Sequence, residues 1–218
     1  MKNLTLGLFA VVAVGLGIVY GLVRIRSEMG LGNFSAIAST VAEKHQVSTR
    51  MRESSQANQG KPAPSFREVA SDGRIYECAE LIKNGPFIVI FIKESCPCSE
   101  EAEPFFQRLQ AAVAGQIKIV GVIEGSLATA ETWVKQHQTP YPILPDPESR
   151  IIRGFGAENS AYVALVNSQG LTERLWPGYS AEMLKELVGR AGVMVGQPLG
   201  PIDVSGAPGE LYSGCPYF

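Results

Sequence analysis

Apolar positions in this chain follow several different patterns, and each predicts a different kind of element. Residues 4–23, LTLGLFAVVAVGLGIVYGLV, carry no charge over twenty positions. Wound as a helix they would extend about 30 Å, the hydrocarbon thickness of a bilayer. The run is longer than a usual secretory core, and no small-x-small cleavage site precedes Arg24 and Arg26. The pattern therefore predicts a retained transmembrane helix within residues 1–26. Lys2 lies before the run and the two arginines after it, so the positive-inside rule gives no clear orientation.

Residues 27–59 read as a short helix followed by a flexible tether. The helix is expected from Asn33 to Lys44, capped by Asn33 or Ser35. From Gln46 to Gly60 the chain is rich in Ser, Gln, Asn and charge, with little to bury.

A different texture begins at Gly60 and lasts to about residue 192. Asp72-Gly73 marks a turn between two short strands, and Cys78 falls in a helical turn over Tyr76–Ile82. Phe87–Lys93 (FIVIFIK) is continuously apolar and β-branched, the signature of a strand buried on both faces. It gives way at Cys96-Pro97-Cys98-Ser99 to a helical pattern running to about Ala114. Ile117–Ile123 is a second buried strand, and Leu127–His137 a helix with Trp133 and Val134 on its apolar side. An extended segment at Tyr141–Asp146 and a helical turn at Ile151–Phe155 follow. Tyr162–Asn167 and Leu171–Trp176 form a hairpin about Ser168-Gln169-Gly170, and Ser180 caps a helix to Ala191. The order is β-α-β-α-β-β-α. Right-handed crossover makes the first two strands parallel and the hairpin makes the last two antiparallel, so the fold class is α/β with a mixed sheet. Residues 193–218 are rich in Gly and Pro with Asp203 and Glu210 as their charges, and they end in apolar residues, which suits a tail that docks.

Composition narrows the function classes. A net charge of −2, with no basic cluster and interleaved aromatics, argues against nucleic acid as a partner. The four cysteines, Cys78, Cys96, Cys98 and Cys215, match no zinc spacing, and His45 and His137 lie far from them in sequence. No metal and no cofactor is expected. Cys96 and Cys98 stand where a strand becomes a helix, with Pro97 suited to the first helical turn. A thiol there sits at the positive end of the helix dipole, which favours the attacking thiolate. Glu94, Glu100, Glu101 and Glu103 oppose that effect and are expected on a solvated helix face. Cys78 is expected to be a packing residue.

Four segments resemble the thioredoxin-like redoxin family of the alkyl hydroperoxide reductase and thiol-specific antioxidant type. They are Gly60-Lys-Pro-Ala-Pro-Ser-Phe66, the Cys96 segment, Tyr141-Pro-Ile-Leu-Pro-Asp146, and Ala164-Leu-Val-Asn-Ser-Gln-Gly170. The resemblance covers about residues 60–192 and implies a thioredoxin-like fold with core strand order 4-3-1-2. It also implies that Cys96, eight residues before Pro104, is the nucleophile. Ser99 then occupies the resolving position where the family has a second cysteine. The family's substrate clamp, with its cis-proline, falls at Ser160-Ala161. Val89 and Lys93 stand where peroxiredoxins have Pro and Thr.

These features give a site of Cys96, Cys98 and Cys215 as redox residues and Pro97, Ser99, Ser160 and Ala161 as substrate contacts. With serine at the resolving position, Cys98 or the tail's Cys215 must release a mixed disulfide. The main expectation is a membrane-tethered thiol–disulfide exchange protein acting on protein thiols on the extracytoplasmic (periplasmic) side. The alternatives are a non-catalytic thioredoxin-fold subunit bound to a membrane-protein partner, and a peroxiredoxin-like peroxidase.

Overall fold

The computed structural model describes residues 46–218, so the expected membrane helix and the short helix over 33–44 lie outside the described residues. Among the described residues no helix is long and apolar enough to cross a membrane. Helix α1 (Thr49–Gln56) precedes a hairpin of β1 (Arg67–Val69) and β2 (Ile75–Glu77), then α2 (Cys78–Lys83). The core continues as β3 (Phe87–Lys93), α3 (Pro97–Val113), β4 (Lys118–Glu124), α4 (Leu127–His137), β5 (Ile143–Pro145) and α5 (Arg150–Phe155). It closes with β6 (Val163–Val166), β7 (Thr172–Trp176) and α6 (Ala181–Val195).

The main sheet has the order β5-β4-β3-β6-β7. Strand β3 pairs in parallel with β4 from Phe87↔Lys118 to Lys93↔Glu124, and antiparallel with β6. The order β7-β6-β3-β4 is the expected 4-3-1-2, with β5 added at the edge. Alternation along β3 divides the core into two layers. Ile88, Ile90 and Ile92 face Phe106 and Leu109 of α3, Trp133 of α4 and Leu184 of α6. Phe87, Val89 and Phe91 face the other way, toward Phe66, Cys78, Ile152 and Phe155. A strand buried on both sides needs a continuous apolar run, which is what its sequence supplies.

The tether expected over residues 46–59 is instead a docked element. Ser48 caps α1 by accepting from Met51 N at 3.2 Å, and Val47 and Ser55 are buried. Val47 N donates to Leu211 O at 3.2 Å, and Gly60 N to Thr172 O at 2.8 Å. The helix is short and polar on most of its surface, so few residues carry its attachment.

Helix α6 ends at Gly196, where φ is +71°. The tail then lies back along the domain. Arg108 Nη1 donates to Ser205 O at 2.8 Å, Ala181 N to Pro208 O at 2.9 Å, and Tyr179 and Tyr212 exchange two backbone bonds.

Candidate functional site

The site lies where β3 ends. Ser95 takes φ +57°, turning the chain so that Cys96 becomes the N-cap of α3 with Pro97 at the first helical position. The Cys96 carbonyl accepts from Ser99 N at 2.9 Å and Glu100 N at 3.2 Å, starting the helix. Cys96 is 1% exposed and Cys98 7%.

Cys96 is paired with Cys215 as a disulfide, with Cα atoms 6.1 Å apart and a sequence separation of 119. That separation falls within the range a bridge tolerates. The tail reaches it by backbone pairing against the loop before β6, with an isolated bridge between Asn159 and Pro216. Ser160 N donates to Cys215 O at 3.0 Å, and Gly214 N donates to Ser160 O at 2.8 Å. Asn159 Nδ2 donates to Gly214 O at 2.8 Å, Tyr217 N to Glu158 O at 3.0 Å, and Lys93 Nζ to Pro216 O at 2.6 Å. Gly214 is required by space, since a Cβ there would overlap Ser160. Tyr217 anchors the end: its ring is buried in the layer containing Phe66, Phe91 and Phe155.

Two donors face the Cys96 sulfur. Cys215 N lies 3.2 Å from Sγ, and the Ser160 hydroxyl lies 3.4 Å away. With Cys96 in a disulfide the hydroxyl is the group that has a proton to give. Together with the α3 N-terminus, these donors suit a sulfur that must carry negative charge.

The remaining expected residues are distributed as follows. Ser99 is buried, and its Oγ accepts from Lys93 N at 3.2 Å, so it ties the helix start to the strand end. Ala161 adopts φ +59° and donates to Phe91 O at 2.7 Å. No cis peptide occurs among the described residues, so the clamp position keeps its backbone groups without the family's cis-proline. Cys98 is a free buried thiol whose pKa is pushed up by burial and by the charge of Glu101. Its sulfur, Cys96 Sγ and Cys215 Sγ all lie within 4.8 Å of one another. Cys78 is free, buried in the opposite layer, and pushed up to about 11 by burial.

Glu103 departs from the solvated position expected of it. It is 1% exposed and accepts from Tyr141 OH at 2.6 Å and Thr139 Oγ1 at 2.7 Å. Burial raises its pKa, with those hydrogen bonds opposing the rise. Sequence reasoning also missed Glu158, Asn159, Lys93 and Tyr217 as the residues that seat the tail. The signal for Tyr217 was present, because an aromatic residue two positions after a cysteine in an otherwise uncharged terminus has little reason to stay in water.

A central strand that delivers a cysteine to the first turn of the next helix, in this strand order, defines a thioredoxin-like domain. The chain belongs to the AhpC/TSA family, whose model matches residues 59–176. Comparison with curated protein sequences returns no match. Among solved structures, a putative protein disulfide isomerase from Bacteroides thetaiotaomicron superposes with a TM-score of 0.57 at 19% identity, covering 64% of this chain and 91% of that one. A putative thiol:disulfide interchange protein DsbE from Chlorobium tepidum gives 0.56 at 16% identity, covering 63% and 97%. The peroxidoxin BcpB from Mycobacterium tuberculosis gives 0.51 at 14% identity, covering 63% and 96%. At these identities the likeness concerns the fold.

Proposed function

We propose that this protein is a membrane-tethered thiol–disulfide oxidoreductase in which Cys96 attacks and Cys215, carried on the tail, resolves. The observation that carries this reading is the Cys96–Cys215 pair, held at the α3 N-terminus by a backbone ladder to Ser160. In the reduced protein the Cys96 thiolate attacks a sulfur of a substrate disulfide, and one substrate thiolate leaves. The Cys215 thiolate then attacks Cys96 Sγ, breaks the mixed disulfide and frees the second substrate thiolate. The substrate gains two electrons and the protein ends as the Cys96–Cys215 disulfide. A donor dithiol resets it, attacking first at Cys215, a half-buried residue, because Cys96 is 1% exposed. Cys96 leaves as the thiolate, and the donor's second thiol releases Cys215.

The uncharged run over residues 4–23 supports a membrane anchor. A redox pair of this kind suits an oxidising compartment, hence a domain on the extracytoplasmic side. Proteins are the substrate class, entering as disulfides and leaving as thiols, because the Ser160 backbone groups can pair with an extended chain when the tail steps aside.

The accessory-subunit reading has one observation in its favour, that the tail covers Cys96 completely. Trapping separates the two. Reduced Cys215→Ser, mixed with a protein disulfide substrate, is expected to accumulate a mixed disulfide at Cys96, whereas the wild type releases product and closes on Cys215. If neither protein forms an adduct at Cys96 under these conditions, the exchange reading is wrong and the domain serves as a binding module.

A further inference from the structure

Cys98 is the sulfur that the exchange reaction does not use, yet it sits beside the two that react. The three Sγ atoms lie within 4.8 Å of one another, two from the start of α3 and one from a tail 119 residues on. Pro97 between Cys96 and Cys98 occupies the first helical position and fixes their spacing by its restricted φ. Once the disulfide is reduced, three thiols converge in a space largely closed to water. A metal–sulfur bond of about 2.3 Å in a planar three-coordinate site places the sulfurs about 4 Å apart, so a small adjustment of side chains forms it.

We propose that the reduced protein binds one copper(I) ion through Cys96, Cys98 and Cys215. The donor set decides the class of metal. Thiolates select soft cations, and hard cations such as calcium or magnesium need oxygen. A structural zinc site wants four ligands, and among the described residues no fourth Cys, His, Asp or Glu joins the cluster. Copper(I) is satisfied by three sulfurs. The surroundings suit the anionic complex: Cys215 N and the Ser160 hydroxyl point at Cys96 Sγ, and the α3 N-terminus adds its positive end. A cleft of about 410 Å³ lined by Glu101, Phe105, Tyr179, Pro208 and Tyr212 opens on the same side of α3, with Glu101 as its charged group.

Binding replaces the three thiol protons with one metal ion, and copper stays in the +1 state. The site competes with exchange for the same two sulfurs. When a substrate disulfide takes two electrons from Cys96 and Cys215, the new disulfide removes two of three ligands and copper(I) is released unoxidised. The proposal rests on the exchange reading only for that redox cycle. Its test is a binding measurement, so either can fail alone.

The test uses the full chain, anaerobic and reduced, titrated with copper(I) against a chromophoric copper(I) chelator. The wild type is expected to take up one equivalent, with three sulfurs in the metal's X-ray absorption shell. Cys98→Ser is expected to lose at least tenfold in affinity, while disulfide mapping shows that its Cys96–Cys215 bridge still forms and hence that it folds. Cys78→Ser is expected to bind as the wild type does, and the oxidised wild type to release the ion to the chelator. Equal affinity in Cys98→Ser and wild type, a two-sulfur shell, equal binding by oxidised and reduced protein, or preference for zinc would each overturn the proposal.

Discussion

Two single residues hold the site in ways that can be measured. Glu103 is a buried carboxyl between Tyr141 and Thr139, with a pKa raised above its ordinary 4.5 by burial. A carboxyl that holds its proton more tightly when folded stabilises the fold fully below its unfolded pKa, and that contribution is lost as pH rises through the folded value. The thermal midpoint is therefore expected to fall as pH is raised from about 4.5, and Glu103→Gln to flatten that slope. A variant with the wild-type slope would show that Glu103 does not titrate in this range. Tyr217 is the second. Truncating a fully buried aromatic costs about 3–5 kcal/mol, and here part of that loss falls on the disulfide that the ring holds in register. Tyr217→Ala is expected to shift the Cys96–Cys215 equilibrium with a thiol buffer at least tenfold toward the dithiol, or about 30 mV. Tyr217→Phe is expected to leave it near the wild-type value, because the Tyr217 hydroxyl is buried with no hydrogen-bond partner among the described residues. If Tyr217→Ala titrates as the wild type does, the ring does not hold the tail.

Among the elements, those with a strong period were legible in the sequence. Strand β3 announced itself by six consecutive apolar positions, Phe87 to Ile92, followed by Lys93, and the β6–β7 hairpin by Ser168-Gln169-Gly170. Helix α1 did not, because its attachment rests on Val47, Met51 and Ser55 among polar neighbours, and because the chain it binds comes from Leu211 and Thr172. Glu103 was misread for a related reason: its partners stand 36 and 38 residues away on a segment with no regular period. The tail's docking could be inferred from composition, but not its register. Backbone pairing of Gly214 and Cys215 with Ser160 sets that register. Gly214→Ala tests it, because a Cβ meets Ser160 while the rest of the tail's contacts are untouched. Closure of the reduced protein to the Cys96–Cys215 disulfide under mild oxidant is expected to slow about tenfold or more, the effect of losing roughly 1.4 kcal/mol of docking. An unchanged rate would mean that the tail finds Cys96 without the ladder.

At the scale of the whole molecule, the strand directions and the strand-to-helix cysteine could be read from contiguous segments and connection rules, whereas the sheet order came only from the family resemblance. The pairing of the first turn of α3 with residue 215 could be framed but not decided there, because spacing says nothing about where a Gly- and Pro-rich tail returns. The proposed membrane anchor is a separate matter, resting on the uncharged sequence of residues 4–23 alone. The full chain is expected to stay with membranes through alkaline carbonate extraction. Release, or a mature chain beginning after residue 24, would contradict the tether. In the proposed cycle Cys96 and Cys215 open and close together as the working pair. Its most direct test is disulfide mapping by mass spectrometry on protein quenched in acid and alkylated under denaturing conditions, before and after one equivalent of substrate disulfide meets the reduced form. The expected result is four alkylated cysteines before, and afterwards a Cys96–Cys215 linked peptide with Cys78 and Cys98 still alkylated. A Cys96–Cys98 linkage, or four free thiols with the substrate disulfide intact, would contradict the account.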